Sequence, residues 1–224
     1  MIRKTLAFDV YGTLIDTSEV FSSLQNLVGE KAAALTELWR TKQLEYSFRR
    51  GLMQNYVDFA TCTRQALDYS CLNLHVELTE EQRNALLAEY RSLPAFADAT
   101  PGLELCRDSG YSLYAFSNGR ADDVRHLLEQ ADIAKYFQGV VSCDEVKSFK
   151  PNPGVYGHFL RRAGCGGHEA WMVSGNPFDV IGALSAGMNA AWVKRSLQAL
   201  FDPWEMTPTV TVSSLTELAE KLKE

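Results

Sequence analysis

Thr5-Leu-Ala-Phe-Asp9-Val-Tyr-Gly-Thr13-Leu14 reads as a short buried strand that delivers one carboxylate into a tight turn. Leu6, Ala7 and Phe8 form an apolar run of the kind that is covered on both faces, and Gly12 with Thr13 bends the chain away just behind it. Asp9 therefore stands at the carboxyl end of a core strand. A lone aspartate in that place is ordinarily a turn or helix-capping residue, so its meaning depends on what the rest of the chain brings to the same edge.

Past the turn the pattern changes. From about Asp16 to Leu93 the sequence is helical in character, with few glycines and no proline. Leu35, Leu38 and Trp39 fall on one helical face, and Tyr56, Val57, Phe59 and Ala60 on another. Thr79-Glu-Glu-Gln82 has the form of a capping box, and Pro94 ends the helix that follows. This predicts an inserted helical domain over residues 16–94, with residues 1–15 and 95–224 forming the main domain.

After Pro94 strand and helix signals alternate. Thr100 reads as an N-cap with Pro101 at the first helical position, leading to a helix that runs to Ser109. Strands are predicted at Tyr111–Phe116, Gly139–Ser142, Trp171–Val173, Ala190–Val193 and Val210–Val212. Helices are predicted near Ala121–Ala131, Pro153–Ala163 and Val180–Ala186. A second capping box, Ser214-Leu-Thr-Glu217, opens the last one. Such alternation implies right-handed crossovers and a mostly parallel sheet covered on both faces.

In sheets of this kind ligands sit beyond the carboxyl ends of the strands. Asp9 follows LAF, Ser117 and Asn118 follow YAF, and Ser174, Asn176 and Asp179 follow WMV. Each residue alone has a bland use as a cap or a turn, but together they converge on one crevice. Lys150, in SFKPNP, adds an ammonium that would keep Asp9 ionised, and an ionised, aimed carboxylate is a nucleophile.

Composition narrows the setting. The chain has 224 residues, 46% of them hydrophobic and 22% charged, which is ordinary for a globular protein. A net charge of −6 argues against nucleic acid as a partner, so any anion site has to be local. No apolar run is long enough to span a bilayer, and the N-terminus enters a strand almost at once without an export signal. The five cysteines are scattered, with no Cys-x-x-Cys spacing, as expected of free thiols in a reducing cytoplasm.

These residues resemble the haloacid dehalogenase superfamily, and within it the L-2-haloacid dehalogenases. Its members open with Asp-x-x-x-Thr, here Asp9 to Thr13, and continue with a Ser or Thr after the second core strand, here Ser117. A later lysine, here Lys150, and a final acidic loop complete the set, in order, across nearly the whole chain. The resemblance implies an α/β fold, a Rossmann-like parallel-sheet core with an inserted all-helical cap. Superfamily phosphatases carry Asp-x-Asp-Gly-Thr and a paired-Asp loop that holds magnesium. Here the second acid is replaced by Tyr11, and the late loop Ser174-Gly-Asn176-Pro-Phe-Asp179 has a single carboxylate. That set is poor for magnesium and for phosphoryl transfer, whereas halide leaves as a stable anion and needs only a receiving site.

The implied activity is metal-independent hydrolysis of short L-2-haloacids to D-2-hydroxy acids through an aspartyl ester. Neither a cofactor nor a metal is expected. By the resemblance, Arg40 in Leu38–Tyr46 receives the halide with Asn118, and Ser117 with backbone amides near Tyr11 holds the substrate carboxylate. Lys150 and Tyr156 orient groups around Asp9. Thr13, Ser174, Asn176 and Asp179 bind or activate the hydrolytic water, with Asp179 the first choice of base. Tyr11, Leu44, Phe59 and Phe178 wall the pocket, Phe178 standing where many relatives have Trp. A homodimer is implied by the resemblance alone, and the partners otherwise are a small 2-haloacid and a halide ion. A small-metabolite phosphatase and a silent acid-binding protein of the same fold are the alternatives.

Overall fold

The computed structural model describes residues 4–223. Six parallel strands form one sheet in the order β3-β2-β1-β4-β5-β6. They are β1 (Thr5–Phe8), β2 (Ser112–Ser117), β3 (Gly139–Ser142), β4 (Ala170–Ser174), β5 (Asn189–Val193) and β6 (Val210–Val212). The opening strand lies in the middle because its side chains suit burial on both sides. Leu6 and Phe8 enter one apolar layer and Ala7 the other, as the alternation of a strand requires.

Four helices make up the insertion that follows β1: α1 (Ser18–Val28), α2 (Ala32–Met53), α3 (Phe59–Asn73) and α4 (Glu80–Glu89). After them α5 (Ala99–Asp108), α6 (Ala121–Gln130), α7 (Pro153–Ala163), α8 (Pro177–Ser185) and α9 (Leu215–Lys221) alternate with the strands. Leu103, Leu127 and Leu218 carry α5, α6 and α9 onto one face of the sheet, and Val155, Phe159, Val180 and Ala183 carry α7 and α8 onto the other.

The helical insertion leaves and rejoins the sheet at one narrow place. Asp16 N–H donates to the Pro94 carbonyl and Phe96 N–H to the Leu14 carbonyl, each at 2.9 Å, and Ile15 bridges Ala95. Its interior is continuous with the layer above the sheet, since Leu24, Leu35, Trp39, Leu67 and Leu86 belong to the same buried cluster as Leu6 and Phe8.

Most predicted elements stand where expected, and the differences have local causes. Helix α5 starts at Ala99, so Thr100 and Pro101 lie inside its first turn. Asp98 precedes it, but its carboxylate is spent on Arg195 and on the Leu215 N–H. Tyr56 and Val57 lie ahead of α3, whose N-cap is Asp58, accepting from the Thr61 N–H at 2.7 Å. Thr79 and Gln82 form both halves of their capping box. At Ser214 only half forms, because the Glu217 carboxylate bonds the backbone and hydroxyl of Ser213 instead. All five cysteines are free thiols.

Candidate active site

The strand order reverses at β1, which has β2 on one side and β4 on the other. A crevice opens at such a reversal, beyond the carboxyl ends of the strands. Asp9, Ser117 with Asn118, and Ser174 with Asn176 come from these three strand ends, and the apolar runs before them set their direction.

Asp9 is 9% exposed, and its two oxygens are held differently. Three donors converge on Oδ2: Thr13 Oγ1 at 2.9 Å, Ser174 Oγ at 3.3 Å and Asn176 Nδ2 at 2.7 Å. Among the described residues, Oδ1 receives only the Lys150 ammonium, at 3.1 Å. The loops supplying these donors touch. Gly12 adopts φ +76°, and a Cβ on Gly175 would lie 2.4 Å from the Gly12 carbonyl oxygen, so glycine at 175 is what lets the loop after β4 close on the loop after β1.

Lys150 is buried, and its ammonium also donates to Asp179 Oδ2 and to the Phe116 carbonyl, both at 2.8 Å. Burial opposes its charge, but Asp179 and then Asp9 outweigh it, and the lysine is held above its ordinary range. Asp179 is fully buried and gives its other oxygen to the Tyr156 hydroxyl at 2.8 Å. Burial pushes its carboxyl up to about 6, against the pull of Lys150. Burial, followed by Asp179, raises the Tyr156 phenol well above its usual range. The column Asp9–Lys150–Asp179–Tyr156 thus holds one ammonium between two carboxylates, with a phenol closing the far end.

From the helical insertion, Arg40 on α2 reaches over this column. Its guanidinium donates to Asn176 Oδ1 at 2.9 Å and to Gln43 Oε1 at 3.0 Å. Burial lowers its proton affinity, with Tyr90 and Asp9 pulling the other way. Gln43 is itself buried and donates to Thr63 Oγ1 at 2.7 Å, so α2 and α3 together fix the arginine.

A cavity of about 20 Å³ lies between these groups. Asp9, Tyr11, Arg40, Leu44, Phe59, Ser117, Asn118, Lys150, Asn176 and Phe178 all line it, ten of the residues expected at the site. Thr13 and Ser174 stand behind it on Asp9, and Asp179 and Tyr156 behind Lys150. Asp179 therefore does not face the cavity, and both of its oxygens are already engaged. Asn118 Oδ1 accepts from the Lys150 backbone N–H at 2.9 Å, and its NH₂ makes no hydrogen bond to another described residue. Ser117 Oγ accepts from the Gly119 N–H at 3.1 Å and keeps its own O–H. Phe178 is braced by Phe48, with ring centroids 5.0 Å apart.

Sequence reading passed over Gln43 and Arg195. Gln43 lies three residues after Arg40, a spacing that puts both on one helical face. Arg195, from beyond β5, donates to the Thr13 carbonyl and to both oxygens of Asp98, the latter at 2.7 and 2.8 Å. No local pattern marks it.

The profile of the haloacid dehalogenase-like hydrolases matches residues 3–187. Among curated proteins, the chain is 34% identical to (S)-2-haloacid dehalogenase 2 of Pseudomonas sp. (strain CBS-3), over 98% of this chain and 95% of that one. It is 33% identical to (S)-2-haloacid dehalogenase 4A of Burkholderia cepacia, over 96% and 93%. Among solved structures, the L-2-haloacid dehalogenase from Xanthobacter autotrophicus superposes with a TM-score of 0.91 at 30% identity, over 99% of this chain and 98% of that one. The match spans both the sheet and the helical insertion, and the chain belongs to the family of haloacid dehalogenase-like hydrolases.

Proposed function

We propose that this chain is a hydrolytic (S)-2-haloacid dehalogenase acting on short L-2-haloacids. The observation that carries this reading is the placement of the Asp9 carboxylate and the Arg40 guanidinium on the walls of one small cavity, with tyrosine at position 11. A nucleophile and an anion receiver are what displacement at a saturated carbon needs.

In the first step an Asp9 oxygen attacks Cα, the carbon–halogen bond breaks, and the halide leaves with its electron pair towards Arg40 and the Asn118 NH₂. Oδ1 is the better attacker, because Oδ2 is quenched by three donors. Those donors then serve the second step. Water adds to the carboxyl carbon of the ester, and Thr13, Ser174 and Asn176 stabilise the oxyanion that forms at Oδ2. Collapse releases a D-2-hydroxy acid, and the sum of both steps is one halide and one proton per turnover. Ser117 and the amides after Tyr11 hold the substrate carboxylate. Asp179 and Tyr156 hold Lys150, and any base action of Asp179 on the water runs through that lysine.

The same reading divides the chain into a core, residues 1–15 and 95–224, and a helical cap, residues 16–94. The paired hydrogen bonds at Leu14–Phe96 and Asp16–Pro94 support that boundary. A cytoplasmic homodimer completes the proposal, supported by the exposure of Tyr69 and Leu72 on one face of α3. Among the described residues no helix is long and apolar enough to cross a membrane.

The test is incubation with L- and D-2-chloropropionate in the presence of a chelator. The expected result is chloride release from the L form alone, with D-lactate as product. Activity on the D form only, or magnesium-dependent hydrolysis of small phosphate esters in its place, would overturn the reading.

A further inference from the structure

Three cavities meet at Tyr11 and Phe59. The reaction cavity, about 20 Å³, is room for little more than one water. Beside it lies a chamber of about 120 Å³ that shares Tyr11, Arg40 and Phe59 with it and adds Trp39, Gln43 and Tyr90. Beyond that is a cleft of about 280 Å³ that shares Tyr11, Phe59 and Tyr90 with the chamber and carries Arg64, Arg91 and Arg120. Arg40 thus stands on the wall between reaction cavity and chamber, and Tyr90 on the wall between chamber and cleft.

Both of these residues have donors to spare. Arg40 spends N–H groups on Gln43 and Asn176, and a guanidinium has five. The Tyr90 hydroxyl makes no hydrogen bond to another described residue; its backbone carbonyl accepts from the Tyr11 hydroxyl at 3.4 Å. Its ring is held edge-on by Tyr11 and Trp39, with centroids 6.0 and 5.5 Å away. Burial pushes the phenol up to about 12 while Arg40 pulls it down, so the group remains an O–H donor at working pH and feels the guanidinium. A cation and a neutral O–H donor on the walls of one chamber suit a small anion. The cleft beyond sets three arginines against two carboxylates, Asp58 and Asp123: Arg64 and Arg91 are ion-paired, at 3.7 and 3.4 Å, and Arg120 has no ion-pair partner among the described residues.

Given the dehalogenase reading, the halide departs from Asp9 towards Arg40, which is towards this chamber. We propose that the chamber is a second halide site, with Arg40 and Tyr90 as its donors, through which the halide passes to the arginine-bearing cleft and solvent. Its volume is several times the roughly 30 Å³ that a water occupies in the liquid, enough for chloride, bromide or iodide. Tyr90 is then a halide-binding residue that hands the ion on after the bond has broken.

Iodide quenches indole fluorescence on contact, and Trp39 lines the chamber. In a Trp204→Phe background, which removes an exposed fluorophore, the full chain titrated with iodide should show a saturable quenching component. Trp39→Phe should abolish that component, and Tyr90→Phe should weaken iodide at least five-fold. Quenching that is linear in iodide, or an affinity unchanged by Tyr90→Phe, overturns the proposal. In crystals soaked with bromide, anomalous density between Arg40 and Tyr90 supports it, and bromide confined to the reaction cavity overturns it. Chloride release is assayed separately. Normal release with linear quenching removes the halide site alone, whereas saturable quenching without release from any 2-haloacid removes the dehalogenase reading and leaves the anion site standing.

Discussion

At Asp9 the chemistry depends on an imbalance between two oxygens, one held by three donors and the other by one ammonium. Asp9→Asn removes the nucleophilic charge while keeping the shape, and halide release should fall by about 10³-fold or more. A thermal midpoint close to that of the parent chain would show the loss to be chemical. Acidification should act through Asp179, whose carboxyl is raised to about 6 by burial. As pH falls through that value Asp179 takes up a proton and Lys150 loses a partner, so kcat/KM should decline on the acid side with a midpoint near it. Stability runs the other way. A carboxyl whose folded pKa lies above its unfolded one binds its proton more tightly when folded, so its contribution is fully present below the unfolded value of about 3.9 and is lost as pH rises through the folded one. A pH–rate profile beside a pH series of denaturation midpoints checks both signs. Much of this scale was legible in the sequence, because Asp9, Ser117, Asn118, Ser174 and Asn176 each follow an apolar strand run. The engagement of both Asp179 oxygens was not, since it depends on where α7 sets Tyr156.

At the scale of elements, the site is assembled by two loops and one long helix. The loop after β4 can approach the loop after β1 only with glycine at position 175. Gly175→Ala should cost on the order of 1–3 kcal/mol, the range for forcing an extra methyl into a packed contact, read as a lower denaturation midpoint together with weakened turnover. Helix α2 aims Arg40, and Gln43 fastens it to Thr63 on α3. Gln43→Leu leaves the Arg40 N–H that faces it without its acceptor, while the Thr63 hydroxyl keeps its bond to the Phe59 carbonyl, a loss of about 1–3 kcal/mol. A fall in kcat larger than any rise in KM would place the effect on halide departure. Helical periodicity made α2 and α3 foreseeable as helices, but which residues of α2 face the sheet was settled by the way the insertion folds back over it. Where local signals failed, a distant partner had claimed the side chain: Asp98 is drawn to Arg195 and Leu215, and Glu217 to Ser213.

For the molecule as a whole, alternation of strand and helix after Pro94 was enough to anticipate a parallel sheet, and the burial of Leu6, Ala7 and Phe8 put the first strand at its centre. Association between chains is a surface property that periodicity does not encode. If the exposed Tyr69 and Leu72 on α3 mark the dimer face, the paired change Tyr69→Glu and Leu72→Glu should convert a two-chain species to a monomer in analytical ultracentrifugation, with the fold intact by circular dichroism. The narrow junction at Leu14–Phe96 and Asp16–Pro94 bears on descent as well as on shape. Both ends of the insertion meet the sheet side by side, so it can be lengthened, trimmed or exchanged through recombination without disturbing strand register. The nucleophile and its ligands are inherited with the sheet, the arginine above the cavity with the insertion. Selection for a different leaving group can therefore rework one heritable piece while the bond-making machinery is transmitted unchanged in the other.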